Sequence, residues 1–380
     1  MRKLHKTPYY SMVVGRMPDG CRLCVKGAKL VLFATGLCSR HCWYCPLSER
    51  KKNKDVVIAN EWWVRRDRDV IEEARLCNSL GAGITGGDPL MRMDRTVHYI
   101  RLLKKTFGSD FHIHLYTSGA LASERNLSRL YSAGLDELRF HPLKKDFPAL
   151  VSALKFGWKV GCEIPAIPGT LAATRDFIRY IDGIGVNFLN INELEFSETN
   201  MQQMLSHGMK TAGGVSYAIK GSDRLAHKLL DYCRKETSLD VHYCTLKLKD
   251  KVQLGNRLKR RAKNAAKEYD ITTKEGLFVR GAIYLPELLP SFKYQKTLDS
   301  LTSKQSFGYL KRLMAAKAML KRKYNLPTEL IGIDRQRFRL LTGAWIVEEL
   351  APSLKESGLK PAVVEEYPTW DALCVDLRFL

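Results

Sequence analysis

Apolar and polar positions follow two alternating rhythms from residue 28 to about residue 246. Short, mostly apolar runs of strand length are followed by longer segments whose apolar residues recur at the three- and four-residue spacing of an amphipathic helix. The predicted strands lie at 28–36, 82–89, 110–119, 136–142, 158–169 and 186–196. The predicted helices lie at 66–81, 93–108, 123–134, 147–157 and 174–185, and a further helix at 222–237 and strand at 239–245 extend the pattern.

This alternation is typical of repeated strand–helix units around a parallel sheet. Right-handed connections between successive strands would curve six such units into a partial or full barrel. The functional loops of such a fold follow the carboxyl ends of the strands. The segments predicted at that edge are the loop after residue 36, TGGDP at 85–89, YTSG at 116–119, RFHP at 139–142 and NELE at 192–195.

The rhythm changes after residue 246. A strongly basic segment forms one predicted helix, and beyond it two predicted hairpins, at 270–285 and 329–343, flank a long helix at 307–327. The sequence therefore predicts an α/β protein with a separate, smaller C-terminal part. The predicted domains are an N-terminal arm (1–27), a partial (β/α)6 barrel (28–246), a basic helical bridge (247–268) and a small α+β domain (269–380).

Composition restricts the class of protein. A hydrophobic content of 45% in 380 residues is that of a soluble globular protein, and disorder is not expected as the general state. No segment resembles a membrane span, and the N-terminus lacks the apolar core of a secretory signal, so the cytoplasm is the default location. Ten cysteines are too few for a disulfide scaffold, and five of them lie between positions 21 and 45, which favours metal ligation in a reducing compartment.

The net charge of +22 would draw the protein to polyanions through counterion release. RNA is the obvious candidate partner, and solubility or a high working temperature is the alternative explanation. Many of the charges lie on two predicted helices, at Arg257, Lys259, Arg260, Arg261, Lys263 and Lys267 and at Lys311, Arg312, Lys317, Lys321, Arg322 and Lys323. These helices are either a phosphate-tracking surface or ordinary solvated faces.

The loop after the first predicted strand carries Cys38, Cys42 and Cys45, in the pattern Cys-x3-Cys-x2-Cys. In a chain with this cysteine content, the number of such patterns expected by chance is below about 0.01. Three thiolates are one short of a closed site, so a structural zinc ion would need a fourth ligand, for which His41 is the local candidate. A [4Fe-4S] cluster held by three thiolates would instead leave one iron open to an exogenous ligand.

The cysteine triplet, its position after strand one and the following half-barrel resemble the radical S-adenosylmethionine enzymes. Over residues 18–246 the chain is similar to archaeal-type relatives of the pyruvate formate-lyase activating enzyme. The resemblance implies a [4Fe-4S] cluster whose open iron binds S-adenosylmethionine, and reductive cleavage to a 5′-deoxyadenosyl radical. It also implies a reducing electron donor such as ferredoxin or flavodoxin. The substrate is expected to be a macromolecule, either RNA or protein.

The same resemblance assigns residues to the cofactor. It places Tyr44 beside the adenine and the Gly86–Gly87–Asp88 turn around the methionine ammonium, with aspartate where the family more often has glutamate. Loop packing and an ordinary strand-end turn are the alternatives. Other candidates for contact with the cofactor are Thr117, Ser118, Arg139 and Asn192, although Arg139 could instead pair with Glu137.

A second metal site is predicted from two half-sites. Cys21 and Cys24 precede the first strand, while His242 and Cys244 end a late strand, and together they could bind zinc or an auxiliary cluster. The alternative is that these cysteines bind no metal. The rival to the enzyme as a whole is a non-catalytic zinc or iron-sulfur protein that binds RNA.

Overall fold

The computed structural model describes residues 1–214 and 216–380, which form two compact units, Met1–Arg257 and Leu258–Leu380. The boundary between the units falls within the predicted basic bridge. None of the helices in these described ranges is long and apolar enough to cross a membrane.

The first unit is built on one mixed sheet. Its strands are β1 (Leu4–Lys6), β2 (Met12–Val14), β3 (Lys29–Thr35), β4 (Ile58–Ala59), β5 (Trp62–Trp63), β6 (Gly81–Gly86), β7 (His112–Thr117), β8 (Glu137–Phe140), β9 (Lys159–Pro165), β10 (Phe188–Asn192) and β11 (Asp240–Cys244). Its helices are α1 (Asp19–Val25), α2 (Asp67–Leu76), α3 (Met93–Phe107), α4 (Glu124–Ser132), α5 (Phe147–Ala153), α6 (Leu171–Gly183), α7 (Met201–Ser206) and α8 (Ser222–Glu236).

Parallel pairing runs through the middle of this sheet, in the order β11, β10, β9, β8, β7, β6 and β3. Antiparallel strands extend both edges, because β2 pairs with β11 and β4 pairs with β3. The predicted fold class, a partial barrel of strand–helix units, is therefore confirmed. The predicted N-terminal arm contributes β1, β2 and α1, for which the sequence analysis had no elements.

The two faces of the parallel sheet differ in polarity. Leu30, Ile84, Ile113, Leu138 and Leu189 are fully buried in one apolar core with residues of the outer helices. This burial stabilises the unit by about 25 cal/mol for each Å² of apolar surface removed from water. The intervening residues point to the concave face and include several buried polar groups, among them Lys29, His114, Arg139, Asn190 and His242. Buried polar side chains that face the inside of a barrel are candidates for a functional site.

Helix α1 packs against β3, β6 and β7. Gly20 permits this close approach, because a Cβ atom there would lie 2.5 Å from His114 Nδ1 and 2.7 Å from Arg139 Nη2.

The second unit is an α+β domain, as predicted. Its strands are β12 (Ile271–Thr272), β13 (Phe278–Tyr284), β14 (Ile331–Asp334), β15 (Arg339–Thr342), β16 (Lys360–Glu366) and β17 (Cys374–Phe379). Its helices are α9 (Gly255–Ala265), which begins just before the boundary, α10 (Tyr294–Asp299), α11 (Ser303–Tyr324) and α12 (Ala344–Glu356). The antiparallel sheet has the order β14, β15, β13, β16 and β17, and the buried Arg339 guanidinium donates two hydrogen bonds to Glu366, at 2.6 and 2.9 Å.

Candidate functional site

The carboxyl ends of the parallel strands bring the predicted site residues together. A cavity of about 550 Å³ opens at this edge of the first unit. Its walls include all three loop cysteines and most residues assigned to the cofactor, namely Cys38, Cys42, Cys45, Tyr44, Gly86, Gly87, Thr117, Ser118, Arg139 and Asn192. Asp88 is the exception, because its side chain is fully buried behind the wall.

The three thiols of the loop are free and half-buried. Partial burial raises the pKa of Cys38 and of Cys42, because the desolvated thiolate loses hydration. The backbone N–H of Arg40 donates to Cys38 Sγ at 3.4 Å, which favours the thiolate of that residue. Metal binding requires thiolates, so loading of this loop would release protons.

Further hydrogen bonds, which do not involve sulfur, hold the cysteine loop. The Gly36 N–H donates to Lys54 O at 2.8 Å, which closes the base of the loop. The Asn200 side chain donates to Tyr44 O at 3.0 Å, and the Thr199 hydroxyl donates to Leu47 O at 2.6 Å. The residues before α7 were missed as site residues, since the sequence gives no signal that they reach a loop about 150 positions away.

The Gly86–Gly87–Asp88 turn is joined directly to the start of the cysteine loop. The Gly87 N–H donates to Thr35 O at 2.8 Å, and the Asp88 N–H donates to Leu37 O at 2.8 Å. Gly86 has a φ of 149°, and a Cβ atom there would lie 2.1 Å from Thr35 O. Glycine is therefore required by the approach of the two strand ends, while its backbone still lines the cavity.

The Asp88 carboxylate links the end of β6 to the end of β7. It accepts hydrogen bonds from Thr117 Oγ1 at 3.1 Å, from Ser118 N at 3.0 Å and from Ser118 Oγ at 2.6 Å. It also accepts one from Leu90 N at 3.1 Å. In this arrangement the Asp88 side chain positions Thr117 and Ser118, and the contact of the Gly86–Gly87–Asp88 turn with the methionine ammonium stays a prediction.

This linkage leads to a first prediction. Leu90 N donates to Asp88 Oδ1 and Ser118 N donates to Oδ2, so the single oxygen of an asparagine can serve only one of the two amides. We expect Asp88→Asn to lower the free energy of unfolding by about 1–3 kcal/mol, the usual cost of an unsatisfied buried donor. Urea unfolding followed by circular dichroism would measure this loss.

The matched control is Asp94→Asn on α3, where the carboxylate is largely exposed and pairs with Arg129. We expect that variant to unfold within about 0.5 kcal/mol of the wild type. Equal stability of both variants would show that Asp88 does not have the linking role.

Tyr44 is oriented by a short chain of hydrogen bonds. Its hydroxyl lies 2.7 Å from His141 Nε2, and His141 Nδ1 lies 2.8 Å from Glu163 O. Because a backbone carbonyl only accepts, Nδ1 carries the proton and Nε2 accepts from the tyrosine. The Tyr44 ring is thereby fixed in the cavity wall next to Cys42 and Cys45.

Arg139 is bound to two carboxylates inside the barrel. Its guanidinium is 2% exposed and lies 2.5 Å from Glu137 Oε1 and 2.9 Å from Glu163 Oε2. Burial alone would raise the pKa of Glu163, but Arg139 and a hydrogen bond from Asn192 outweigh it and hold that pKa below its ordinary value. Arg139 thus forms the salt bridge with Glu137 that was the alternative to a contact with the cofactor. It also lines the cavity.

The residues predicted as a second metal site lie outside the cavity wall. Cys21 Sγ lies 3.7 Å from Asn190 Oδ1, and His242 Nδ1 lies 2.6 Å from the same oxygen. Cys244 Sγ lies 3.8 Å from Gln253 Nε2. Across residues 1–214 and 216–380, no three His, Cys, Asp or Glu side chains are grouped so as to hold one metal ion. The second site, with Cys24 as its fourth member, stays a prediction.

Several polar residues of the cavity were missed by the sequence analysis, namely Lys29, Tyr116, Glu163, Glu195 and Lys249. Lys29 was read only as part of an apolar strand. The period of two along each strand is the signal that could have found it, since positions 29 and 31 share one face. Which face points inward is decided by the pairing of the strands and is not visible in the sequence.

Models of two protein families match the chain. One, described as the radical SAM superfamily, matches residues 32–144, which include the cysteine loop and the glycine turn. The other, described as a domain of unknown function (DUF8061), matches residues 276–378.

A protein of Methanocaldococcus jannaschii, provisionally named a glycyl-radical enzyme activating enzyme, is 46% identical over 278 residues, or 70% of this chain and 73% of that protein. Streptococcus suis SuiB bound to S-adenosylmethionine is 12% identical with a TM-score of 0.41, over 57% of this chain and 50% of that one. Coproporphyrinogen III oxidase (HemN) of Escherichia coli, a radical SAM enzyme, is 11% identical with a TM-score of 0.33, over 86% and 90%. The two structural scores are too low to support an argument about this chain.

Proposed function

Because the chain belongs to the radical SAM superfamily, we propose that Cys38, Cys42 and Cys45 hold a [4Fe-4S] cluster at which S-adenosylmethionine is cleaved. The bound cluster would supply one electron that breaks the cofactor into methionine and a 5′-deoxyadenosyl radical, which then removes a hydrogen atom from the substrate. The superfamily supports the cluster and the cofactor, and the assignment of individual residues is our proposal.

The observation that carries this proposal is the shared cavity. Three free thiols from one loop and the Gly86–Gly87 turn of the adjacent strand line the same space. A cube offers a different iron atom to each thiolate, so the thiols need not converge on one point as they would around zinc. The rival zinc site would need His41, which lines the same cavity, to converge with the three thiols on one ion.

The chain's own residues would hold the cofactor by its polar end and its ring. The carbonyl groups of Gly86 and Gly87 would accept hydrogen bonds from the methionine ammonium. The Tyr44 ring, fixed through His141, would form a wall for the adenine. Thr117 and Ser118 donate to Asp88, so they would define the shape of the pocket and leave the cofactor carboxylate to other donors.

The proposed substrate is a protein, and the proposed reaction is the activation of a glycyl-radical enzyme. The name of the 46% identical relative supports this choice. The hydrogen atom would be transferred from a glycine Cα atom to the 5′-deoxyadenosyl radical, which gives 5′-deoxyadenosine and a glycyl radical. An RNA substrate is supported only by the net charge of +22.

The test of the cleavage reaction is anaerobic cluster reconstitution followed by addition of dithionite and S-adenosylmethionine. We expect stoichiometric methionine and 5′-deoxyadenosine, measured by liquid chromatography with mass detection. An intact cluster that releases neither product would contradict the proposal. A colourless protein that retains only zinc after anaerobic purification would favour the rival.

The substrate class is tested by following the hydrogen atom. A candidate partner protein is labelled with glycine deuterated at Cα and incubated with the reduced enzyme and S-adenosylmethionine. We expect one deuterium in 5′-deoxyadenosine and none when the label is on another residue type. Deuterium transfer from a deuterated RNA, with none from protein, would replace the protein by RNA as substrate.

A further inference from the structure

We propose that the floor of the cavity is an anion subsite in which Lys29 binds a carboxylate group of the substrate. The subsite rests on the proposed function, because it lies in the same cavity as the loop cysteines. It adds a chemical requirement for the substrate that neither the family nor the relatives' names state.

Lys29 stands at the end of the barrel opposite the cysteine loop. It is the first residue of β3, whose last residue, Thr35, lies next to that loop, and its side chain lines the cavity although the residue is only 8% exposed. Gly83 leaves room for it, because a Cβ atom there would lie 2.7 Å from His114 Nε2 and 3.3 Å from Lys29 Cδ. A small residue on the neighbouring strand thus keeps the floor open down to the ammonium group.

The Lys29 ammonium has three protons to donate and no carboxylate partner among the residues that the structure describes. Its Nζ lies 3.2 Å from His114 Nε2 and 5.9 Å above the centre of the Tyr116 ring. Burial and the nearby cations lower the pKa of His114, so this imidazole is a neutral acceptor. A buried cation without a carboxylate partner is costly unless an anion completes its surroundings.

Arg139, Glu163 and Lys249, which line the same cavity, are already paired. Arg139 binds both Glu137 and Glu163, and Glu163 also accepts a hydrogen bond from Asn192. Lys249 Nζ lies 3.3 Å from Glu195 Oε1. Glu163 acts on Lys29 only at a distance, so its field favours the ammonium form without saturating the ammonium protons.

Cys24 is a second acceptor near the Lys29 ammonium, besides His114. Burial would lower the pKa of Lys29, but the Cys24 sulfur and the Tyr116 oxygen outweigh it and raise that pKa, so Lys29 stays protonated. A thiol is a weak acceptor compared with a carboxylate, which forms a charge-assisted hydrogen bond with an ammonium. The experiment therefore includes a Cys24 variant.

A carboxylate fits this subsite better than a phosphate. One unmatched ammonium balances one negative charge, and the Tyr116 side chain lines the same cavity. A phosphate, with close to two charges at neutral pH, favours a cluster of cations or a set of backbone N–H groups. The carboxylate could belong to a peptide segment of a protein substrate or to a small free acid, and the experiment distinguishes these sources.

The test is isothermal titration of the full-length protein, without cluster or cofactor, with succinate, with N-acetyl-aspartate amide and with inorganic phosphate. We expect saturable binding of at least one carboxylate probe and a loss of about tenfold or more in affinity for Lys29→Met, with most of the affinity kept in Lys29→Arg. Lys159→Met is the matched control, because Lys159 also begins a barrel strand but is exposed. Circular dichroism confirms that each variant is folded.

Each outcome decides the proposal. Tighter binding of the capped amino acid favours a peptide source, and tighter binding of succinate favours a small acid. Binding of phosphate alone, equal affinity of Lys29→Met and wild type, no binding of any probe, or an equal loss in Lys159→Met would overturn it. Loss of carboxylate binding in Cys24→Ser, together with retained binding in Lys29→Met, would show that the anion binds near Cys24 and not at Lys29. No titration requires cleavage of S-adenosylmethionine, so failure of the proposed function would be seen separately.

Discussion

Replacement of Cys42 by alanine is expected to abolish both the brown absorbance of the reconstituted protein and the formation of 5′-deoxyadenosine. Cys42 is the central thiol of the triplet and lies half-buried in the cavity wall beside Tyr44. Two thiolates and no replacement ligand would leave two irons of the cube without protein ligation. The expected loss of cleavage is complete, and absorption spectra and product analysis on the same sample measure both effects.

The matched control for this variant is Cys374→Ala. Cys374 begins β17 of the second unit and its thiol only approaches Asp376 O, at 3.1 Å. We expect this variant to load a cluster and to cleave S-adenosylmethionine as the wild type does. Loss of activity in both variants would point to general thiol damage, and full cleavage by Cys42→Ala would disprove the assigned role of the loop.

The second large effect is expected for Arg139→Met. This change leaves Glu137, which is 1% exposed, and Glu163 inside the barrel without their shared cation. Removal of one partner from a buried ion pair costs about 3–5 kcal/mol, because the remaining charge stays desolvated. Denaturant unfolding at neutral pH should show a loss of this size, while Arg179→Met, at an exposed pair with Asp176, should stay within about 0.5 kcal/mol of the wild type.

The deficit of Arg139→Met should depend on pH. In the wild type, the lowered pKa of Glu163 contributes stability that is present above the unfolded-state pKa and lost as pH falls through the folded-state pKa. The variant lacks that contribution and carries a buried carboxylate that is easier to protonate. The difference between the two proteins should therefore shrink on acidification, and a difference that grows would contradict the assignment.

The sequence predicts the parallel core of the first sheet better than it predicts the short strands at the edge of that sheet. The parallel strands are long enough, and their amphipathic helices regular enough, for the alternation to be read directly. Leu4–Lys6 and Met12–Val14 are too short to show a period, and they become strands because β11 offers an edge to Met12–Val14, which in turn pairs with Leu4–Lys6. Such pairing depends on a partner more than two hundred residues away, which no local pattern reveals.

The residues of the candidate site also fall into those that a local motif predicts and those whose role depends on a neighbouring strand. The cysteine spacing and the glycine turn are local patterns, and they identified residues that line one cavity. The side chain of Asp88 could not be assigned from its motif, since its partners Thr117 and Ser118 belong to the next strand. Lys29 was invisible for a related reason, because its inward direction follows from the register of β3 with Gly81 on β6.

Hydrogen bonds to Lys54, Thr199 and Asn200 hold the cysteine loop without using a thiol. Backbone, hydroxyl and amide hydrogen bonds therefore shape the loop proposed to hold the cluster. If this loop holds the proposed cluster, we expect the chain to fold before iron is delivered, unlike small zinc domains that do not fold without their ion.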